Sequence, residues 1–143
     1  MKKIIYKAFV ESLNKLLPVV SIQFDFMKVE VAATHLEHID TELFNFNQVD
    51  LIQNINQKDS EGKEIFEGDV VTWYNPLIET GEKMTGVVVY DTKQATYKKC
   101  PINLYKANAG NGGYTGYEFR WYDNVKVLGN IYENPELLQN LTK

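Results

Sequence analysis

Apolar and polar residues alternate with period two along much of the chain, which is the pattern of half-buried strands rather than of helices. Residues 2–9, with Ile4, Ile5 and Tyr6, predict an opening strand that gives way to a polar turn at residues 11–15. Between Val19 and Val31 the apolar set Val20, Ile22, Phe24 and Phe26 alternates with Ser21, Gln23 and Asp25. That spacing predicts a half-buried strand with those four side chains inward, and a hairpin break near Met27-Lys28 before a strand over residues 29–33. Residues 34–47, which carry both histidines, read as looser chain, and residues 49–52 as a short strand. Further strands are predicted at the residues leading into Trp73, at 86–91, at 117–121 and at 124–131. In the third of these Tyr117, Phe119 and Trp121 alternate with Glu118 and Arg120, so Trp121 is expected to be buried.

Turn chemistry separates these strands. Residues 56–64 form a nine-residue polar stretch around Gly62, read as a long turn and as the best internal boundary. At Glu67-Gly68-Asp69 a tight turn is expected, with Gly68 at positive φ and Asp69 accepting from a nearby backbone N–H. Near the C-terminus, Asn134 is placed as an N-cap, Pro135 as the first helical residue and Glu136 as the first-turn acid of a short helix. The resulting fold class is mainly β (α+β), a small antiparallel β-barrel-like core with added N-terminal strands and a short C-terminal helix. Residues 1–143 are read as one domain, with an N-terminal β subregion at 1–55 and the barrel-like core at 56–143.

Two segments have an order and spacing specific enough to compare with a family. Asp59-Ser60-Glu61-Gly62-Lys63-Glu64-Ile65-Phe66-Glu67-Gly68-Asp69-Val70-Val71 resembles the central signature of the YopX family of phage and prophage proteins. Gly129-Asn130-Ile131-Tyr132-Glu133-Asn134-Pro135-Glu136-Leu137-Leu138 resembles that family's closing signature, and Ile5-Tyr6-Lys7-Ala8-Phe9 is similar to its first strand. The chain departs from the pattern at Asn54-Ile55-Asn56-Gln57, where the family usually has Tyr-Thr-Gly-Leu, and residues 103–116 are longer than its norm. Asn56 tolerates the left-handed backbone that the family's glycine would take. The resemblance implies a phage or prophage origin and a location in the cytoplasm of a bacterial host. It implies no reaction.

Composition narrows the remaining chemistry. The chain has 143 residues, 44% of them hydrophobic, with 15 basic and 19 acidic side chains and a formal net charge of −4. Neither half is basic and Arg120 is the sole arginine, which equips the chain poorly for bidentate reading of phosphate or guanine. Lys98-Lys99 is taken as a solvated edge. Cys100 has no partner cysteine for a disulfide, and no apolar run approaches the roughly 20 residues that span a bilayer. A basic start followed by Lys7 and Glu11 does not make a signal peptide.

Candidate catalytic and metal groups are sparse. His35-Leu36-Glu37-His38 is the one spacing suited to a metal, yet three or four ligands are needed and no second His or Cys cluster follows. Cys100 reads as a small buried or edge thiol. The run Gly110-Asn111-Gly112-Gly113-Tyr114-Thr115-Gly116 lacks the Gly-Lys-Ser/Thr ending of a phosphate loop and reads as a hairpin loop. No catalytic, metal or cofactor site is assigned. Gly62, Gly68, Asp69, Asn134 and Pro135 are assigned to structural turns, and Tyr117, Phe119, Trp121 and Tyr122 to an interface. The leading function is a phage accessory protein, non-enzymatic and self-associating, that binds a host or phage protein in the cytoplasm. The alternative is a single-stranded nucleic-acid binder with the aromatic strand as a stacking platform.

Overall fold

The computed structural model describes residues 3–35, 38–74, 83–108, 112–120 and 123–140, with the side chains of 33–35, 38–39 and 140 outside that description. The chain divides into two compact units, Met1–Gln53 and Asn54–Lys143. Each is built on an antiparallel sheet.

In the first unit the order is β4-β3-β2-β1-β5: β1 (Tyr6–Val10), β2 (Lys15–Gln23), β3 (Lys28–His35), β4 (His38–Asn45) and the first half of β5 (Val49–Lys58). Ala8, Val29 and Val31 are fully buried, with Leu17, Val19, Phe44, Phe46 and Val49 packed around them. Two sequence expectations change here. The register of β2 against β3 shifts between Val19 and Ser21, so Val19 pairs with Val31 while Ile22 pairs with Val29. This bulge turns Val20 outward, 56% exposed. The strand then ends at Gln23, where Phe26 N–H donates to the Gln23 carbonyl (3.2 Å) and Met27 N–H to that of Phe24 (3.3 Å). Phe24 and Phe26 thus leave the ladder for a turn and are 74% and 73% exposed, not inward-facing. The stretch read as loose chain is largely β4, paired residue for residue with β3 from Lys28↔Asn45 to His35↔His38.

The second unit has a four-stranded sheet in the order β10-β7-β8-β9: β7 (Asp69–Tyr74), β8 (Lys83–Asp91), β9 (Thr96–Pro101) and β10 (Lys126–Asn130). A short strand β6 (Glu64–Phe66) pairs with the end of β5 through Asn54↔Phe66 and Lys58↔Glu64. Both faces of the four-stranded sheet are covered, which explains the unbroken run Val87-Val88-Val89. Val88 faces a cluster with Ile55, Ile65, Val71, Trp73 and Val125, while Val70, Val87, Val89 and Cys100 face a second. That second face is closed by α1 (Ile102–Ala107) through Leu104 and Tyr105, and by α2 (Leu137–Asn140) through Leu137 and Leu138.

The class is mainly β with a short C-terminal helix, but the sheet stays open: no pairing joins β10 to β9 among the described residues. A barrel needs that last ladder. The sequence passes over β9 and α1. It also places a strand at 117–121, where the described residues 117–120 make only a single bridge, Lys99↔Tyr117. Helix α2 begins at Leu137, two residues after Pro135, and the Asn134 side chain accepts from Asn130 N–H (3.2 Å) instead of capping the helix.

Candidate functional site

The central signature folds around Asp59. Its Oδ1 accepts from the backbone N–H of Glu61 (2.9 Å) and Lys63 (2.8 Å), and its Oδ2 from that of Val127 (3.1 Å). Burial opposes charge on this carboxyl, yet these three bonds hold it below the usual carboxylate range. Gly62 closes the turn at φ 83, and Asn56 sits left-handed at φ 62. Downstream, Asp69 Oδ2 accepts from Phe66 N–H at 2.8 Å. Gly68 takes φ 90, donates to the Val88 carbonyl (2.8 Å) and accepts from Ile131 N–H (2.9 Å). A Cβ here would stand 2.6 Å from the Tyr132 ring, so glycine is required by both conformation and space.

The closing signature is as local. Asn130 Oδ1 accepts from Tyr132 N–H (3.0 Å) and Glu133 N–H (2.8 Å), and Asn130 Nδ2 donates to Glu133 (3.1 Å). The two signatures meet at the Gly68–Ile131 hydrogen bond. Beside it lies a cavity of about 130 Å³ whose lining includes Glu67, Gly68, Tyr90, Tyr105, Tyr114 and Tyr132. Burial pushes the Glu67 carboxyl above its ordinary range. The Tyr105 and Tyr114 phenols are pushed up as well, first by burial and then by neighbours that include Cys100 and Glu67. Burial also raises Cys100, to about 11, which makes it an inert thiol.

The paired lysines are not a solvated edge. Both are buried, one on each face of β9. Lys98 Nζ donates to Asp91 (2.8 Å) and to the Tyr114 carbonyl (2.8 Å). Asp91 also accepts from the backbone of Tyr114, Lys93 and Gln94. The Lys98 hydrogen bond, then that from Tyr114, holds the Asp91 carboxyl far below its ordinary range. Lys99 pairs with Asp123, which also accepts from Arg120 N–H (2.7 Å), and its ammonium lies 5.2 Å from the Trp73 ring centroid and 5.3 Å from that of Phe119. Freeing Lys99 to follow a phosphate backbone would strand a buried carboxylate, at roughly 3–5 kcal/mol.

The interface residues fare unequally. Tyr117 is 40% exposed, and Phe119 packs against the core cluster around Trp73. Trp121 and Tyr122 lie outside the described residues, so the expected burial of Trp121 does too. The metal reading at His35 and His38 rests on side chains outside that description, although the two backbones are register partners at the end of a β-ladder, not on a helix. Among the described residues no helix is long and apolar enough to cross a membrane. Sequence reasoning missed the Glu67 cavity, which joins residues far apart along the chain.

Comparison with known proteins adds a family and a fold. The profile of the family described as YopX protein matches residues 5–139. The chain is similar to the crystal structure of protein EF1440 from Enterococcus faecalis, at 20% identity and a TM-score of 0.55, over 96% of this chain and 99% of that one. At that identity the likeness is one of fold. No curated protein matches.

Proposed function

The chain belongs to the YopX family, and from that premise we propose that it is a phage or prophage accessory protein acting in the host cytoplasm without catalysis, as a self-associating interaction module. The observation that supports this reading is the tip of the β2–β3 hairpin. Phe24, Phe26 and Met27 stand 74%, 73% and 61% exposed there, three large apolar side chains within four residues. Scattered exposed apolar residues are ordinary, whereas a cluster of this kind is costly to leave in water. Its occupant is taken to be a second copy of the chain, because a formal charge of −4 over 143 residues repels a like molecule only weakly. The stacking-platform alternative gains nothing from Lys98 and Lys99, whose charges are already committed to Asp91 and Asp123.

Light scattering tests the association. At tens of micromolar, a working range for non-obligate contacts, the protein is expected to run as a dimer or larger. Phe24→Ser combined with Phe26→Ser should return it to monomer with an unchanged far-ultraviolet circular dichroism spectrum. A clean monomer before substitution, or association that survives it, would remove the basis for this reading.

A further inference from the structure

The cavity beside Gly68 holds an unbalanced set of groups. One carboxyl, Glu67, and the tyrosines Tyr105, Tyr114 and Tyr132 line it beside residues 87–90 of β8, where the Tyr90 ring packs on Tyr97 instead; among the described residues no basic side chain lines it. Among the described residues Glu67 makes no hydrogen bond or ion pair, although it is half-buried. The buried carboxylates Asp59, Asp69, Asp91 and Asp123 of this unit accept from backbone N–H groups or a lysine, whereas half-buried Glu64 also keeps one buried oxygen, Oε2, without a hydrogen bond among the described residues. The Glu67 carboxyl is only partly withdrawn from water, so a cation beside it would supply a partner that solvent supplies incompletely. Two of the phenol rings, Tyr105 and Tyr114, are nearly parallel, at 10°, with centroids 6.0 Å apart.

We propose that this cavity binds an organic cation, an alkylammonium group seated among the tyrosine rings with its charge against the Glu67 carboxylate. The ring quadrupole presents negative potential at the faces of each phenol, which attracts a cation and disfavours an anion. A neutral apolar guest would deepen the desolvation of Glu67 and offer it nothing in return. A volume of about 130 Å³ is well below the roughly 300–1,000 Å³ of sites that enclose drug-sized ligands. It therefore suits a headgroup or a side-chain tip and excludes a nucleotide. The same chemistry could arrive as a free quaternary ammonium compound or as a lysine side chain of a protein. The proposal is independent of the association reading: the cavity lies wholly within residues 54–143 and uses neither Phe24 nor Phe26.

Titration followed by NMR of the tyrosine ring resonances tests it in four arms. Choline chloride represents the free cation, and 3,3-dimethylbutan-1-ol is its uncharged carbon twin. Nα-acetyl-lysine methylamide represents the side chain, and its Nε-acetylated form is the matching neutral. At least one cation should shift the rings saturably, with Kd on the order of millimolar or tighter, and neither neutral twin should. The tighter cation identifies the source. Glu67→Gln should weaken that cation about tenfold or more while leaving the thermal midpoint no lower, which separates loss of binding from loss of fold. Absence of saturation with both cations, equal binding of a neutral twin, or full retention of binding in E67Q would each overturn the assignment.

Discussion

Glu67 and Asp91 belong to the same unit, yet the fold displaces their protonation equilibria in opposite directions. Lys98 and the backbone of Tyr114 hold Asp91 low, so its contribution to stability is present above the unfolded carboxyl value, roughly 4, and is lost as pH falls through its lower folded value. Burial raises Glu67, so the favourable state of that residue is the protonated one, present below roughly 4 and lost as pH rises through the folded value. Asp91→Asn should therefore lower the thermal midpoint at pH 7, with the deficit shrinking below about pH 4. Glu67→Gln should raise the midpoint at pH 7 and converge on the parent at the same acid end. Melting curves of the three proteins between pH 3 and 8 (a range chosen to bracket ordinary carboxyl values) check both signs; like-signed shifts would contradict these environments. Neither environment is legible in the sequence. Glu67 reads as a turn acid, because the tyrosines that desolvate it are supplied by α1, by the segment before Lys99's bridge partner Tyr117, and by the closing turn.

Strands are legible where alternation meets a single solvated face, and they blur where both faces are covered. Lys98-Lys99-Cys100 is buried on three consecutive positions, a pattern that mimics a charged edge until Asp91 and Asp123 are known to lie opposite. The β2 bulge causes the converse error at Val20, where the register shift breaks the alternation, and the turn after Gln23 causes it at Phe24 and Phe26. Closure of the barrel is not a local property and could not be read from any one segment. The turn before β7 has consequences for the element that follows it. Gly68→Ala forces a Cβ into a left-handed backbone and within 2.6 Å of Tyr132, so destabilisation of about 1 kcal/mol or more is expected. Chemical denaturation measures it directly; an unchanged midpoint would mean that the turn relaxes at no cost.

At the scale of the whole molecule the family resemblance and the β-rich class follow from short segments with fixed spacing, and the profile match over residues 5–139 agrees with both. Association does not follow from them, because it depends on which apolar residues the folded chain leaves outside. Cys100 is the only cysteine of the chain, has no exposed surface, and follows the buried Lys98 and Lys99 on β9. A thiol reagent can reach it only when the residues that cover it, among them Leu104, Tyr105 and Tyr114, move away, so its labelling is a clock for local opening of this unit under native conditions. With excess reagent the rate should level off at the opening rate and accelerate in mild denaturant. Addition of a cation that fills the neighbouring tyrosine cavity should slow the clock, since a ligand bound to the closed unit makes every opening rarer.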